Sequence, residues 1–568
     1  MRTELDQRMD AVIAAMTGEG GQLPLARVER FGQQLPYIAA APPTLNAYFL
    51  HFGAQHADTE FLVAGEERLT YGAVLAAAQK VARGLVAQGV AKGDRVGIAA
   101  RNSPSWIVLY MGILLAGGVA TLLNGWWQTE ELEASLRDVD CRLVFADAPR
   151  VRRLEEIADP AWRVVAFDDL KPLDEALGFL MQDGDAALPD VTGDDHATIL
   201  FTSGSTGQSK GALSTHFQVV QGVFNYLASA LMMLGIATQE AAASGTPMST
   251  LQPATLLNVP LFHVTAEVPV MLQSFAIGRK LVLMPKWDAE EAMRLIEKEK
   301  VTYFVGVPLM SFEMLTHPNR DKYDLSTVTD IAAGGAPRPV EHVKRIDQEM
   351  EGAPLIGYGL TETNGVGTGN WRGNYIAKPN SAGRASPPLV DLAILDDAGR
   401  PVPQGERGEV SIRSVACFQE YWGNPQATSA CFTGDGYFRT GDIGYLDEDG
   451  YLFIVDRKKD IIIRGGENIS CQEVEAALYE HPDVAEACVF GLPDERFGEV
   501  PGAVVHLREP GAVEAEDLVA FLSAHIAAFK VPQRIWIAPD PLPRLGTEKI
   551  DKVSLRKAYR ERVAAEAA

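Results

Sequence analysis

From Thr70 onward, segments of helical and of strand-like hydrophobic period alternate along the chain. That alternation constrains the fold most. Residues 73–88 repeat apolar positions at helical spacing, residues 95–99 form a strand-length run, Pro104 opens an apolar helix, and residues 141–145 and 164–167 read as further strands. Strands separated by helix-length segments need crossover connections, which produce a parallel sheet with helices on its faces. The pattern resumes at residues 256–262, which lead to His263, then at 280–284, in an amphipathic helix over 289–300, and in strands at 301–305 and 328–332. Residues 170–195 are acidic and turn-rich and read as a surface excursion.

Past Leu389 the character changes. Short strands at 392–395, 408–413 and 450–454 are separated by Asp/Gly turns, which predicts antiparallel structure in the form of a small barrel. Beyond Asp456 about a hundred residues again mix helix and strand, enough for a small separate domain. The expected fold is therefore α/β, with doubly wound sheets and a β-barrel-like part in a large N-terminal domain (1–455). A smaller, mobile α+β C-terminal domain (456–568) follows.

Between the predicted strand at 197–200 and Gly211 lies a loop with four hydroxyls (Thr202, Ser203, Ser205, Thr206), two glycines (Gly204, Gly207) and one cation, Lys210. Glycines let backbone N–H groups approach an anion closely, hydroxyls add donors, and the lysine adds charge, so the composition suits phosphate. The spacing is not that of a Walker A loop, and a loop of this composition also serves elsewhere as a plain surface turn. The strand before it is expected to deliver it to a sheet edge. A second backbone-exposing turn, Gly334, Gly335, Ala336 and Pro337, follows the strand at 328–332, and in open parallel sheets ligands sit at that end of the strands.

At 568 residues the chain exceeds what one core supports. Its net charge of −24 argues against nucleic acid as the main partner, so an anionic ligand must be met by local donors. The five cysteines have no paired or metal-ligand spacing, which fits a reduced, cytoplasmic setting. Residues 106–123 contain no charge and are long enough to be considered as a membrane span, but Gly117-Gly118 divides them into a helix-length and a strand-length piece. A buried helix and strand are expected, with no transmembrane segment. The apolar residues of positions 1–16 have helical spacing and lack the charge pattern of a signal peptide.

Several short motifs stand in one order: Thr202-Ser-Gly-Ser-Thr-Gly207-x-x-Lys210, Pro260-Leu-Phe-His263, Gly334-Gly-Ala336, Tyr358-Gly-Leu-Thr-Glu362, Thr440-Gly-Asp442, Asp456-Arg457-Lys-Lys-Asp460, Gly465-Gly-Glu-Asn468 and Pro543-Arg-Leu-Gly-Thr-Glu-Lys549-Ile. Singly each is weak. Together they closely resemble the adenylate-forming superfamily of acyl-CoA synthetases, acyl-adenylating domains and beetle luciferases, over residues 45 to 560, and most resemble a free-standing fatty acid–CoA ligase. The resemblance implies an enzyme that makes an acyl-AMP from a carboxylic acid and ATP, releases pyrophosphate, and passes the acyl group to coenzyme A.

It also implies roles. The 202–210 loop is expected to hold the ATP phosphates, Tyr358 between Gly357 and Gly359 to face adenine, and Gly335, Ala336 and Pro337 to line its edge. Thr361 would donate to the α-phosphate, Glu362 would hold Mg2+, Asp442 the ribose, and Arg457 the ribose and phosphate. Lys549 would bridge the attacking carboxylate and the α-phosphate, although Glu548 stands where the family usually has glycine. Lys459 corresponds to the hinge about which the small domain turns, and Gly465 and Gly466 to the face that then admits the thiol. His263 is expected at the mouth of the acyl pocket.

Pro260-Leu-Phe-His263 carries no aspartate of the kind that grips an amino acid, which favours a ligase using CoA. The acyl pocket is expected to be lined by His263, Val264, Val268, Val307, Gly334, Asn364, Gly365 and Val366, with Gly367 and Gly369 leaving it roomy and Glu267 facing away. That lining predicts a medium- to long-chain fatty acid, with an aryl or terpenoid acid as the alternative. A non-catalytic nucleotide-binding relative would be expected to lack Lys549, Glu362 or Asp442, and a phosphotransferase would release ADP. A homodimer is compatible with the sequence.

Overall fold

The computed structural model describes residues 2–182, 184–202, 209–464, 467–545 and 549–567. Two mostly parallel sheets dominate the chain up to residue 385. The seven-stranded sheet runs in the order Glu420–Tyr421, Lys210–Thr215, His196–Thr202, Val119–Leu122, Arg95–Ala99, Leu143–Ala146, Arg163–Ala166. Its last five strands are parallel. Lys210–Thr215 runs antiparallel to His196–Thr202, with Lys210 opposite Thr202. The buried strand ahead of the Ser/Thr/Gly loop ends at Thr202, so it leads into the loop at the carboxyl edge of the sheet, and on its outer side lie Lys210–Thr215 and then the edge strand Glu420–Tyr421.

The nine-stranded sheet is parallel from Glu60–Ala64 through Lys280–Leu283, Ala254–Leu257, Tyr303–Gly306 and Asp330–Gly334 to Ala353–Gly359. Antiparallel strands complete both of its edges. The largest core joins residues of both sheets, such as Ile98 and Leu281, to helices through Tyr48, Trp106, Tyr110, Phe224 and Phe275.

The uncharged run resolves as expected into a helix, Pro104–Leu115, and a strand, Val119–Leu122. Ser103 caps the helix by accepting from the Trp106 N–H at 3.1 Å, proline occupies its first position, and Gly117 leaves it at φ +76°. Every residue of that helix is buried. Among the described residues His216–Ser244 is the one helix long and apolar enough to cross a membrane by length and composition, and 61% of its most apolar window is buried inside the protein. The 170–195 segment is less superficial than its acidity suggests: Leu173–Leu177 is helical, and Leu173, Leu177 and Leu180 enter the main core.

Asp391–Leu395, Gly408–Arg413, Phe438–Leu446 and Leu452–Arg457 form an antiparallel sheet in that order. The first and last of these strands do not pair with each other among the described residues, so the expected barrel closure is replaced by an open sheet. The C-terminal part has its own sheet, in which Arg534–Ala538 runs parallel and the other strands antiparallel, and its own core of Val474, Leu478, Val489, Val505 and Leu522. At the other end of the chain, the helix Glu4–Thr17 precedes a hairpin, Leu25–Arg30 with Gln33–Ile38.

Candidate active site

The carboxyl ends of Asp330–Gly334 and Ala353–Gly359 open on one place, where the antiparallel sheet and the C-terminal part also meet. Asp442 and Arg457 lie opposite one another on neighbouring strands, with Arg457 Nε 3.3 Å from one carboxylate oxygen of Asp442. The Tyr358 hydroxyl donates to the other oxygen at 2.6 Å. Burial raises the pKa of Asp442, and Arg457 and the Tyr358 hydrogen bond oppose that rise. A buried carboxylate held from one side by a tyrosine and a guanidinium accepts hydrogen bonds only, which suits paired hydroxyls.

Lys549 enters the same place. Its carbonyl accepts from the Leu545 N–H at 2.7 Å, and Arg544 bridges to Ile550, which fixes the backbone at Lys549. Its side chain crosses Gly335, which takes φ +77°. Burial, reinforced by the charge of Arg457 and opposed by Asp442, lowers its pKa to about 8. His263 is also in electrostatic reach: burial, with the nearby Lys549, holds its pKa down at about 3. Its Nδ1 accepts from the Thr265 N–H at 3.2 Å, capping the turn Val264–Ala266. The imidazole is therefore neutral, with the proton on Nε2.

Glu362 lies in the single turn Thr361–Thr363 and is buried. One oxygen accepts from the Tyr421 hydroxyl at 2.6 Å. Burial raises its pKa, and Tyr421, Arg457 and Lys210 pull it back. Lys210 stands over the Tyr421 ring, Nζ 5.0 Å from its centroid. The second carboxylate oxygen has no side-chain donor among the described residues and is available as a hard ligand, which fits Mg2+. Among the described residues no three His, Cys, Asp or Glu gather, so such an ion would take its other ligands from water and phosphate. Tyr421 went unrecognised from sequence because an isolated tyrosine in a two-residue strand has no periodicity to expose it.

Of the residues expected around the acyl group, Val264 and Val268 are buried beside the helix His216–Ser244. A Cβ at Gly222 would lie 3.1 Å from Asn364 Cβ and 3.8 Å from Val268, and one at Gly365 would lie 3.2 Å from the Tyr226 hydroxyl and 3.5 Å from Val264. Tyr226, not singled out from sequence, donates to the Gly365 carbonyl at 2.5 Å. The Asn364 amide donates to Ser214 Oγ at 3.1 Å and to the Ala416 carbonyl at 2.8 Å, so it braces the turn. Val366 is buried, and Val307, between the strand Tyr303–Gly306 and the helix Pro308–Thr316, and Gly334, at the end of its strand, are partly exposed. Gly367 and Gly369 do not provide room as expected: a Cβ would meet the Tyr358 carbonyl oxygen at 2.3 Å at Gly367, and the Trp371 ring at 2.4 Å at Gly369. Glu267 turns to Tyr110, whose hydroxyl donates to it at 2.8 Å, and burial lifts its pKa to about 8.

Ser203, Gly204, Ser205, Thr206 and Gly207 of the phosphate loop, and Gly465 and Gly466, lie outside the described residues. Thr202 and Lys210, which flank the loop, are paired across the hairpin. Ala336 and Pro337 follow Gly335 at the surface, and Thr361 is partly exposed beside Glu362. Lys459 lies in an exposed turn two residues beyond Arg457.

The model of the AMP-binding enzyme family matches residues 49–422, and that of the AMP-binding enzyme C-terminal domain matches residues 473–549. The chain is 32% identical to a long-chain-fatty-acid–CoA ligase of Bacillus subtilis over 92% of its own length and 95% of that protein. It is 33% identical to a feruloyl-CoA synthase of an Amycolatopsis species, over 87% of this chain and 95% of that one. Its fold matches the O-succinylbenzoate coenzyme A synthetase of Bacillus subtilis, solved with ATP and magnesium ion, with a TM-score of 0.75, 27% identity, and 91% and 99% of the two chains covered.

Proposed function

The chain belongs to the AMP-binding enzyme family, and on that premise we propose that it is an AMP-forming acid–CoA ligase acting on medium- to long-chain fatty acids. The observation that carries the proposal is the convergence of Tyr358, Asp442, Arg457 and Lys549 from separate elements, with Lys549 crossing the Gly335 turn. A nucleotide laid against that turn would meet an aromatic at its base, an acceptor at its ribose and two cations at its α-phosphate.

In the first step the acid's carboxylate attacks the α-phosphorus, the carboxylate–phosphorus bond forms, and pyrophosphate leaves. Two anions approach one another, so a cation between them stabilises the transition state by on the order of 3 kcal/mol. Lys549 takes that role and Thr361 donates to an α-phosphate oxygen. The neutral His263 Nε2–H orients the substrate carboxylate without holding it as an ion pair. Glu362, fixed by Tyr421, would hold Mg2+, which when bound neutralises charge between the phosphates. Lys210 and the 202–207 hydroxyls and amides receive the pyrophosphate end.

In the second step the CoA thiol replaces AMP at the acyl carbon. Lys549 already occupies the nucleotide side, so the thiol needs another approach. Turning the C-terminal part about Lys459 withdraws Lys549 and brings Gly465 and Gly466 to the acyl-AMP. Five unpaired cysteines, four of them buried, suit a reducing, cytoplasmic setting.

Two apolar valines and a small turn near His263 favour an aliphatic chain. The similarity to a feruloyl-CoA synthase keeps an aryl acid as the second reading. The test is product analysis by mass with ATP, CoA, Mg2+ and a panel of fatty, aryl and terpenoid acids. AMP with a fatty acyl-CoA is expected, an aryl-CoA would select the second reading, and ADP would overturn both.

A further inference from the structure

The hairpin formed by Leu25–Arg30 and Gln33–Ile38 precedes the segment that the family description matches, and Arg30 at its tip reaches residues 415–418. Residues 415–418 are fully buried and belong to no strand, so their carbonyls need donors from elsewhere. Arg30 supplies most of them. One of its terminal nitrogens donates to the Val415 carbonyl at 3.1 Å and the Cys417 carbonyl at 2.7 Å, and the other to the Phe418 carbonyl at 2.7 Å. Asn364 holds the remaining carbonyl, that of Ala416. Among the described residues Arg30 has no ion-pair partner, so its fork is spent wholly on this segment.

The tip is built to hold that reach. Phe31 takes φ +54° and Gly32 φ +67°, a turn that a phenylalanine seldom occupies. The Phe31 ring lies 4.8 Å from that of Phe432, which in turn lies 5.6 Å from Phe418. Gly436 leaves the space it fills, since a Cβ there would come within 2.7 Å of it.

What the clamped segment does is hold Glu362. The Phe418 N–H donates to the Glu362 carbonyl at 2.7 Å. Three residues on, Tyr421, set in register against Ala212, donates to the Glu362 carboxylate. We propose that Arg30 is a positioning residue for adenylation, fixing residues 415–418 so that Phe418 and Tyr421 present Glu362 to the metal ion that accompanies ATP. This rests on Glu362 as the metal-bearing carboxylate.

Calorimetric titration of the full-length protein with ATP, in Mg2+ and in chelator, tests it with wild type, Arg30→Met, Arg30→Lys and Glu362→Gln, each checked by thermal melting. Groups that orient a metal ligand typically change metal affinity by 10- to 100-fold, so Arg30→Met should cut the Mg2+-dependent gain in ATP affinity about tenfold while leaving metal-free affinity within about twofold. Arg30→Lys, which lacks the planar fork, should fall between, and it carries the test if Arg30→Met does not fold. Equal losses with and without Mg2+ would mean a merely structural role and overturn the proposal. An unchanged gain in the Arg30 variants, alongside its loss in Glu362→Gln, would overturn it too. A gain retained in Glu362→Gln would instead remove the metal role of Glu362, and the proposal with it.

Discussion

Lys549 crosses Gly335 so closely that a Cβ on residue 335 would lie 2.9 Å from its Cε and 3.0 Å from its Nζ. The glycine is needed twice, for its φ of +77° and for the passage of the lysine. Gly335→Ala should therefore act like loss of the cation, lowering acyl-AMP formation on the order of a hundredfold. Conversion of supplied acyl-AMP to thioester should be nearly unaffected. Pyrophosphate exchange and single-turnover thioester assays read the two steps separately, and equal losses in both would contradict the placement.

The depressed pKa of Lys549 gives a pH dependence of defined sign. Its ammonium is present below about pH 8 and lost above it. Since kcat/KM reports groups of the free enzyme, kcat/KM for ATP should fall as pH rises through about 8. Lys549→Arg should move that limb beyond the measurable range. His263, neutral down to about pH 3, should contribute no limb between pH 5 and 7. An acid limb abolished by His263→Ala would refute this.

Lys459→Pro should separate the half-reactions in the opposite way. Proline fixes φ and removes the N–H, stiffening the turn between Arg457 and the C-terminal sheet. Acyl-AMP should form at the wild-type rate and accumulate, because the motion that admits the thiol is blocked. Unchanged thioester formation would sink the hinge assignment.

Gly367→Ala tests packing. The added methyl would meet the Tyr358 carbonyl at 2.3 Å, across strands paired through Gly359 and Gly367. Overpacking of this kind costs about 1–3 kcal/mol, visible as a lower midpoint in urea. Adenine affinity should fall with it, since Tyr358 must shift. A wild-type midpoint would show that the strands relax freely.

Much of the architecture was legible because its signals are local. Helix-length and strand-length periods gave both parallel sheets, and Gly117 placed the break between Pro104–Leu115 and Val119–Leu122. Barrel closure was misread, since turn-rich antiparallel strands have the same sequence pattern whether or not their end strands meet. Asp442, Glu362 and Lys549 could be named from the motif order, but their supports could not. Tyr421, Tyr226 and Arg30 act through contacts between residues far apart in the chain, and none stands in a local pattern. The glycines at 367 and 369 looked like open space, whereas they admit neighbouring backbone and a tryptophan ring.

The edge strand Glu420–Tyr421 also sets an order of assembly during synthesis. The hairpin carrying Lys210 can form early, yet its outer neighbour, the hydroxyl that holds Glu362 and the carbonyls that Arg30 grips all emerge from the ribosome only after the whole nine-stranded sheet. Contacts so remote in sequence form late. A nascent chain arrested before residue 420 would have folded strands and an unfinished nucleotide site, so ATP binding would be gained near the end of translation and not gradually along it.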